Sequence, residues 1–143
     1  MGLDMYLHAK RYLWDADKDT KNKIAEAFPE IKAEVKSVTV EAAYWRKANA
    51  IHGWFVNNVQ GGVDDCGEYN VTLEQLQDLI ALCKHVLNNK DEAVAVLPPT
   101  PGFFFGAFEV DAWYMENIDK TIEQLEACLK YPDNWDFYYH SSW

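Results

Sequence analysis

The two ends of the chain both alternate apolar and polar residues, which is the period of a half-buried β-strand. Within residues 3–10, the side chains of Leu3, Met5 and Leu7 share one side of such a strand, and residues 135–143 alternate in the same way. Two strands at opposite ends of a chain constrain its topology strongly. The first and last strands are therefore predicted to be neighbours in one sheet.

Between these strands, apolar residues mostly recur at the spacing of an amphipathic helix. A capping box of Thr72 and Gln75 marks the start of the clearest helix. Helices are predicted over residues 19–28, 43–59, 72–87 and 111–130, and a further strand over residues 31–40.

Strands at both ends with helices between them predict an α+β fold. The expected architecture is an antiparallel or mixed sheet that contains the N- and C-terminal strands, with about three to four helices packed on it. Residues 1–143 are expected to form a single domain, because one core usually serves a chain of about 100–200 residues.

The formal net charge is −10, and it is unevenly distributed. Residues 1–90 carry 11 basic and 13 acidic side chains, whereas residues 91–143 carry 2 basic and 10 acidic ones. Direct binding to nucleic acid needs clustered Lys and Arg, so it is not expected. The acidic third fits a partner with a basic surface.

The compartment is also constrained by the sequence. No apolar run approaches 18 residues, so no membrane span is expected, and the N-terminus lacks the pattern of a secretory signal. The three cysteines are an odd number without paired spacing, which favours a reducing compartment. The expected location is the cytoplasm.

The block from Tyr44 to Phe55 concentrates chemically capable side chains within the helix predicted over residues 43–59. At helical spacing, a guanidinium, a carboxamide and an imidazole converge at the rim of the core, and Gly53 exposes backbone for a close approach. Structural roles for these polar groups are an equally simple interpretation. The ligand-binding candidates in this block are Trp45, Arg46, Lys47, Asn49 and His52.

Two other segments supply further candidates. Phe103, Phe104 and Phe105 form a run that can stack on an aromatic ligand or pack into the core. Asp64 and Asp65 offer carboxylates to a divalent cation, with His52 nearby, but the spacing matches neither an EF-hand nor a zinc motif. These two aspartates are therefore only weak metal candidates, and a solvated acidic turn explains them as well.

Several blocks of the chain together resemble a family of small proteins encoded by bacteriophages, prophages and some bacteria. Members often end in Tyr-Gln-Ser-Ser-Trp, whereas His140 stands at the Gln position here. The resemblance implies expression inside an infected bacterial cell and brings no catalytic residue or cofactor with it. The blocks are MGLDMYL at 1–7, residues 44–56 including YWRKANAIH, residues 64–66, GFFFG at 102–106 and SSW at 141–143.

Two functional hypotheses follow. The first is a phage-encoded accessory protein that binds a host protein or a small ligand and thereby modulates host machinery or defence. The alternative is a small enzyme or ligand-binding domain for a phosphorylated or nucleotide-like molecule, in which Arg46 and Lys47 hold charge and His52 acts as acid or base. The sequence identifies neither a cofactor nor an oligomeric state, and it leaves open whether the protein is an enzyme.

Overall fold

The structure, a computed structural model, describes residues 2–102 and 105–143. Strands and helices alternate in its first half, three helices then follow one another before the last strand, and two 3₁₀ turns lie at Asp15–Asp17 and Lys90–Glu92. The elements are β1 (Asp4–Tyr12), α1 (Lys18–Ala27), β2 (Ser37–Arg46), α2 (Asn49–Asn58), β3 (Tyr69–Val71), α3 (Leu73–Asn88), α4 (Ala93–Val96), α5 (Ala112–Cys128) and β4 (Asp136–Ser142).

The four strands form one antiparallel sheet in the order β2-β1-β4-β3. Strands β1 and β4 pair along most of their length, from Asp4 opposite Ser142 to Lys10 opposite Asp136. The predicted pairing of the first and last strands is therefore confirmed, and so is the α+β fold class.

One face of this sheet forms the floor of the hydrophobic core, and it is called the inner face below. Strand β1 contributes Met5 and Leu7 to it with no exposed surface, and β4 contributes Tyr139. Helix α2 packs Phe55 against this face, with the ring of Phe55 stacked on that of Tyr139 at a centroid distance of 3.9 Å. Helices α3 and α5 pack against each other and supply further buried apolar side chains.

The strand predicted over residues 31–40 and the helix predicted over residues 43–59 both have wrong boundaries. Strand β2 continues to Arg46, because Ala43 and Trp45 alternate onto the inner face and aromatic residues pack well on a pleated surface. Lys47 then adopts a left-handed conformation, with φ at 53°, and helix α2 begins only at Asn49. Trp45 and Arg46 are thus strand residues.

The other helix predictions agree more closely with the structure. The Thr72 hydroxyl accepts a hydrogen bond from the Gln75 N–H, and the Gln75 side chain accepts one from the Thr72 N–H, so the predicted capping box is confirmed. Helix α5 begins after Asp111, whose carboxylate accepts a hydrogen bond from the Tyr114 N–H. Within residues 2–102 and 105–143, no helix has the length and hydropathy needed to cross a membrane.

Candidate functional site

Helix α2 places His52 at the centre of a buried hydrogen-bonded chain. The His52 ring has no exposed surface. Its Nδ1 lies 2.6 Å from the hydroxyl of Tyr139 on β4, and its Nε2 lies 2.9 Å from Oδ2 of Asp64, in the loop that follows α2. The predicted proximity of His52 to Asp64 is therefore confirmed.

The positions of the protons in this series of hydrogen bonds follow from the chemistry of Asp64 and Tyr139 at its two ends. A carboxylate can only accept hydrogen bonds, so the proton of a neutral His52 lies on Nε2 and is donated to Asp64. Nδ1 then accepts a hydrogen bond from the Tyr139 hydroxyl. Burial lowers the pKa of His52, although Asp64 partly opposes that shift, and burial raises the pKa of Tyr139 well above its usual value. Both buried groups are therefore neutral at neutral pH.

Of the three hydrogen-bonded residues, Asp64 is the one that reaches solvent. Its side chain is 27% exposed, and its second oxygen, Oδ1, accepts a hydrogen bond of 3.1 Å from Nε1 of Trp143. Each oxygen thus has one protein donor, and each retains lone-pair capacity for another. Two fixed donors orient the Asp64 carboxylate towards the outside.

A cleft of about 330 Å³ opens beside this carboxylate, and it is called the Asp64 cleft below. The Phe105 ring, which is 5% exposed, meets His52 edge-on at 5.2 Å and lies 6.0 Å from the indole of Trp143. Among the described residues, the lining of this cleft is mostly apolar and includes one carboxylate. Its lining includes Gly53, Asn57, Asp64, Thr100, Phe105 and Trp143.

Thr100 and Phe105 form part of one wall of the Asp64 cleft, because contacts with Asn49 and Gly53 hold them against helix α2. The Asn49 carboxamide donates to the carbonyls of Phe105 and Ala107 and accepts from the N–H of Thr100. A Cβ at Gly53 would lie 2.0 Å from Oγ1 of Thr100, so only glycine allows this approach. The close contact predicted at Gly53 is thus made by another part of the same chain.

The remaining candidates lie apart from the Asp64 cleft. Trp45 is fully buried, and its Nε1 donates to the hydroxyl of Thr121. Arg46 lies on strand β2, so it does not share a helix face with Asn49 and His52. Its guanidinium donates to the Asp4 carboxylate at 2.9 Å. Lys47 lines a separate small cavity at the start of α2.

The two aspartates proposed as weak metal candidates have different environments. Asp65 accepts hydrogen bonds from the Tyr69 hydroxyl and the Gly67 N–H, which lower its pKa, whereas Asp64 faces the cleft. In the part of the chain that the structure describes, no group of three or more His, Cys, Asp or Glu side chains could hold a metal ion. Phe103 and Phe104 lie outside the described residues.

Sequence reasoning missed Tyr139 and Trp143 as partners of this site. Tyr139 shares its strand face with Phe137, and this alternation was a usable signal that its ring points into the core. The position of Trp143 depends on the register of β4 beside β1, which the sequence does not specify. In the comparisons with known proteins, no protein-family model, curated protein or solved structure matches the chain.

Proposed function

We propose that this protein is a phage or prophage accessory protein that binds a basic host protein by seating a Lys or Arg side chain in the Asp64 cleft. The observation that carries the proposal is the orientation of the Asp64 carboxylate. One buried donor, His52 Nε2, and one half-exposed donor, Trp143 Nε1, hold it beside a mostly apolar cleft. The resemblance of the terminal and central blocks to phage-encoded proteins supports the assignment to an infected bacterial cell.

The walls of the cleft suit a cation with an apolar stem. A long basic side chain can place its methylene groups against apolar surface while its charged end meets a carboxylate. Trp143 is 49% exposed and adds an indole face, which attracts Lys and Arg cations by about 0.5–1 kcal/mol at exposed sites. The ring of Phe105 packs edge-on against the indole of Trp143 in the same cleft.

The charge of the whole chain favours the same class of partner. A formal charge of −10 attracts basic surfaces and accelerates their encounter with the protein. The acidic third, residues 91–143, also contains much of the cleft wall, including Phe105 and Trp143. Long-range attraction and the local carboxylate therefore act in the same direction.

The alternative hypothesis, a site for a phosphorylated or nucleotide-like molecule, receives less support at this cleft. Among the described residues that line it there is no Lys or Arg, and Arg46 is engaged by Asp4 elsewhere. The His52 ring is fully buried, so it cannot reach a ligand as acid or base without movement of its cover. A phosphate would meet the Asp64 carboxylate and be repelled.

The test uses a matched pair of probes and the indole N–H signal of Trp143 in ¹H–¹⁵N spectra. N-acetylarginine amide should shift this signal in a saturable manner, whereas the neutral isostere N-acetylcitrulline amide should not. In Asp64→Asn the carboxylate charge is removed at constant shape. We expect arginine-amide affinity to fall about tenfold or more, since a hydrogen bond to a charged group contributes about 1.5–3 kcal/mol.

Asp65→Asn is the control, because it removes the neighbouring charge without touching the cleft. It should leave the affinity for the arginine probe nearly unchanged. Equal losses in both variants would mean that only the overall charge attracts the probe. Equal responses to the arginine and citrulline probes would refute a cation site at Asp64.

A further inference from the structure

The outer edge of strand β2 carries backbone groups that the sheet itself does not use. Strand β2 comes first in the order β2-β1-β4-β3, so only one of its two edges pairs with a neighbouring strand. The Leu13 N–H donates to the Lys36 carbonyl, and hydrogen-bonded pairs alternate with non-bonded pairs along an antiparallel ladder. The N–H and C=O groups of Ser37, Thr39 and Glu41 therefore point away from β1.

Helix α5 covers this edge at one end of β2 and leaves it open at the other. The Gln124 carboxamide accepts a hydrogen bond of 2.9 Å from the Tyr44 N–H and donates one of 3.2 Å to the Tyr44 carbonyl, so it takes the place of a strand partner there. Within the described residues, the outward backbone groups of Ser37, Thr39 and Glu41 have no such partner. Thr39 and Glu41 are exposed. The open segment, Ser37–Glu41, is called the β2 edge below.

The β2 edge lacks the features that usually prevent an edge strand from pairing with another chain. Proteins protect such edges with lysine, proline, β-bulges or very short strands. The β2 edge has the sequence SVTVE, and the register shift of β2 lies beyond it, where Leu7 of β1 is followed by His8. The opposite edge strand, β3, is protected because it has only three residues. A regular, exposed edge is a template for an additional strand.

A groove of about 440 Å³ lies beside the β2 edge. Val40 lines it together with Tyr131 and Trp135, whose rings meet edge-on at a centroid distance of 5.6 Å. The other lining residues are Ala127, Lys130 and Pro132. Because side chains alternate between the two faces of a strand, every second residue of a strand added here would face this mostly apolar groove.

From these features we infer that the β2 edge binds an extended segment of the partner protein as a fifth, antiparallel strand of the sheet, with apolar residues in the groove and basic residues on the other face. Main-chain hydrogen bonds to the β2 edge supply affinity, and the alternate side chains supply specificity. The inference extends the proposed function, since it assigns a second contact to the same basic partner. The groove shares no lining residue with the Asp64 cleft.

Two charged side chains determine which face of the added strand is basic. In the described part of the chain, Glu41 has no cation within ion-pair distance, and it alternates with Val40, so it lies on the face away from the groove. Lys130 lines the groove and opposes a second cation there. The net charge of −10 also disfavours a second copy of this chain as the occupant.

The probe is the acetylated peptide amide Lys-Phe-Lys-Val-Lys-Val, followed through the backbone amide signals of Thr39 and Glu41 in ¹H–¹⁵N spectra of the whole chain. It should shift both signals in a saturable manner and slow their exchange with solvent.

Two methylated forms of the probe are the matched controls. In an antiparallel pair the lysines share a face with Thr39 and Glu41, so their N–H groups face β2. N-methylation of the three lysines should abolish binding, whereas N-methylation of Phe and the two valines should not. Equal responses to the two methylated peptides, or no response to the parent peptide, would overturn the inference.

Variants at Thr39 test the same hydrogen bonds from the side of the protein. Thr39→Pro removes one outward N–H and leaves the β1–β2 ladder intact, because proline is tolerated on an edge strand where its nitrogen faces solvent. It should weaken peptide binding about tenfold, and Thr39→Val, which keeps the N–H, should bind like the parent protein. Equal affinities of the two variants would contradict strand addition.

Charge variants test the basic character of the segment. Glu41→Gln should weaken binding several-fold, whereas Glu26→Gln, on the exposed helix α1, should not. Equal losses in the two would overturn the assignment of a basic partner.

Two further measurements separate this inference from its alternatives. A dimer of the parent protein in sedimentation that is lost in Thr39→Pro would overturn the inference by identifying a second copy as the occupant. Asp64→Asn should leave the responses of Thr39 and Glu41 to the peptide unchanged, and the arginine probe reports on the Asp64 cleft alone. Failure at the β2 edge is therefore distinguishable from failure of the proposed function.

Discussion

The inner and outer faces of the sheet arise from the same alternating strands but have different environments. On the inner face, Met5 and Tyr139 are completely buried. On the outer face, Tyr6 and His140 are half-buried and stack on each other with a centroid distance of 5.5 Å. Aromatic rings occur on both faces, so ring content alone does not tell which face is the core. The helices decide it, because the buried apolar residues of α2, α3 and α5 form one core with the inner face.

The histidines of the two faces, His52 and His140, also differ in their hydrogen bonds. His52 projects from α2 towards the inner face, and both of its ring nitrogens are bonded to protein groups. On the outer face, Nδ1 of His140 lies 3.3 Å from the carbonyl oxygen of Cys66, a long contact in a more solvated setting. Both ring nitrogens of the inner imidazole thus have close protein partners, while the outer imidazole has one long contact.

Truncation of Trp45 should give the largest difference between the faces. Trp45→Ala removes a fully buried indole and its hydrogen bond to Thr121, and we expect a loss of about 3–5 kcal/mol in the free energy of unfolding. Tyr6→Ala on the outer face should cost about 1 kcal/mol. Urea unfolding of both variants measures the two values, and similar losses would contradict the asymmetry between the faces.

A smaller effect should come from a hydroxyl rather than a whole ring. Tyr139→Phe keeps the stack on Phe55 but leaves Nδ1 of His52 without its donor. A buried unpaired acceptor costs about 1–3 kcal/mol, so this variant should lose that much stability in urea unfolding.

Tyr138→Phe is the matched control, because Tyr138 is the adjacent strand residue and points to the outer face. Its ring keeps the contact with the Lys10 ammonium, 5.2 Å from the ring centroid. We expect a change within about 0.5 kcal/mol, as for most surface substitutions. A loss equal to that of Tyr139→Phe would show that the His52 hydrogen bond contributes nothing specific.

Much of the fold was predictable because burial follows simple periods in this chain. The alternation of Leu3, Met5 and Leu7 placed β1 and its inner face correctly. The helix predicted over residues 72–87 needed only its apolar stripe and the capping box at Thr72. Such elements depend on local sequence and on one buried face, so the sequence contains most of the information.

The segment around Trp45 was not predictable by the same reasoning. Its apolar residues fit a helical stripe as well as a strand, and the choice depends on pairing with β1, which is distant in sequence. The site depends even more on tertiary contacts. His52 and Asp64 are close along the chain, but Tyr139 and Trp143 reach them only through the register of β4.

A further effect is a dependence of stability on pH that comes from His52. Because burial lowers the pKa of His52, its contribution to stability is complete above about pH 6.5, the value expected for the unfolded chain. Below that, the unfolded chain takes up a proton first, and stability falls with a slope of up to about 1.4 kcal/mol per pH unit. His52→Gln should be less stable overall but should show a shallower slope below about pH 6.5 than the parent protein. Urea unfolding at several pH values measures these slopes. A slope in His52→Gln as steep as that of the parent protein would show that His52 does not produce the pH dependence.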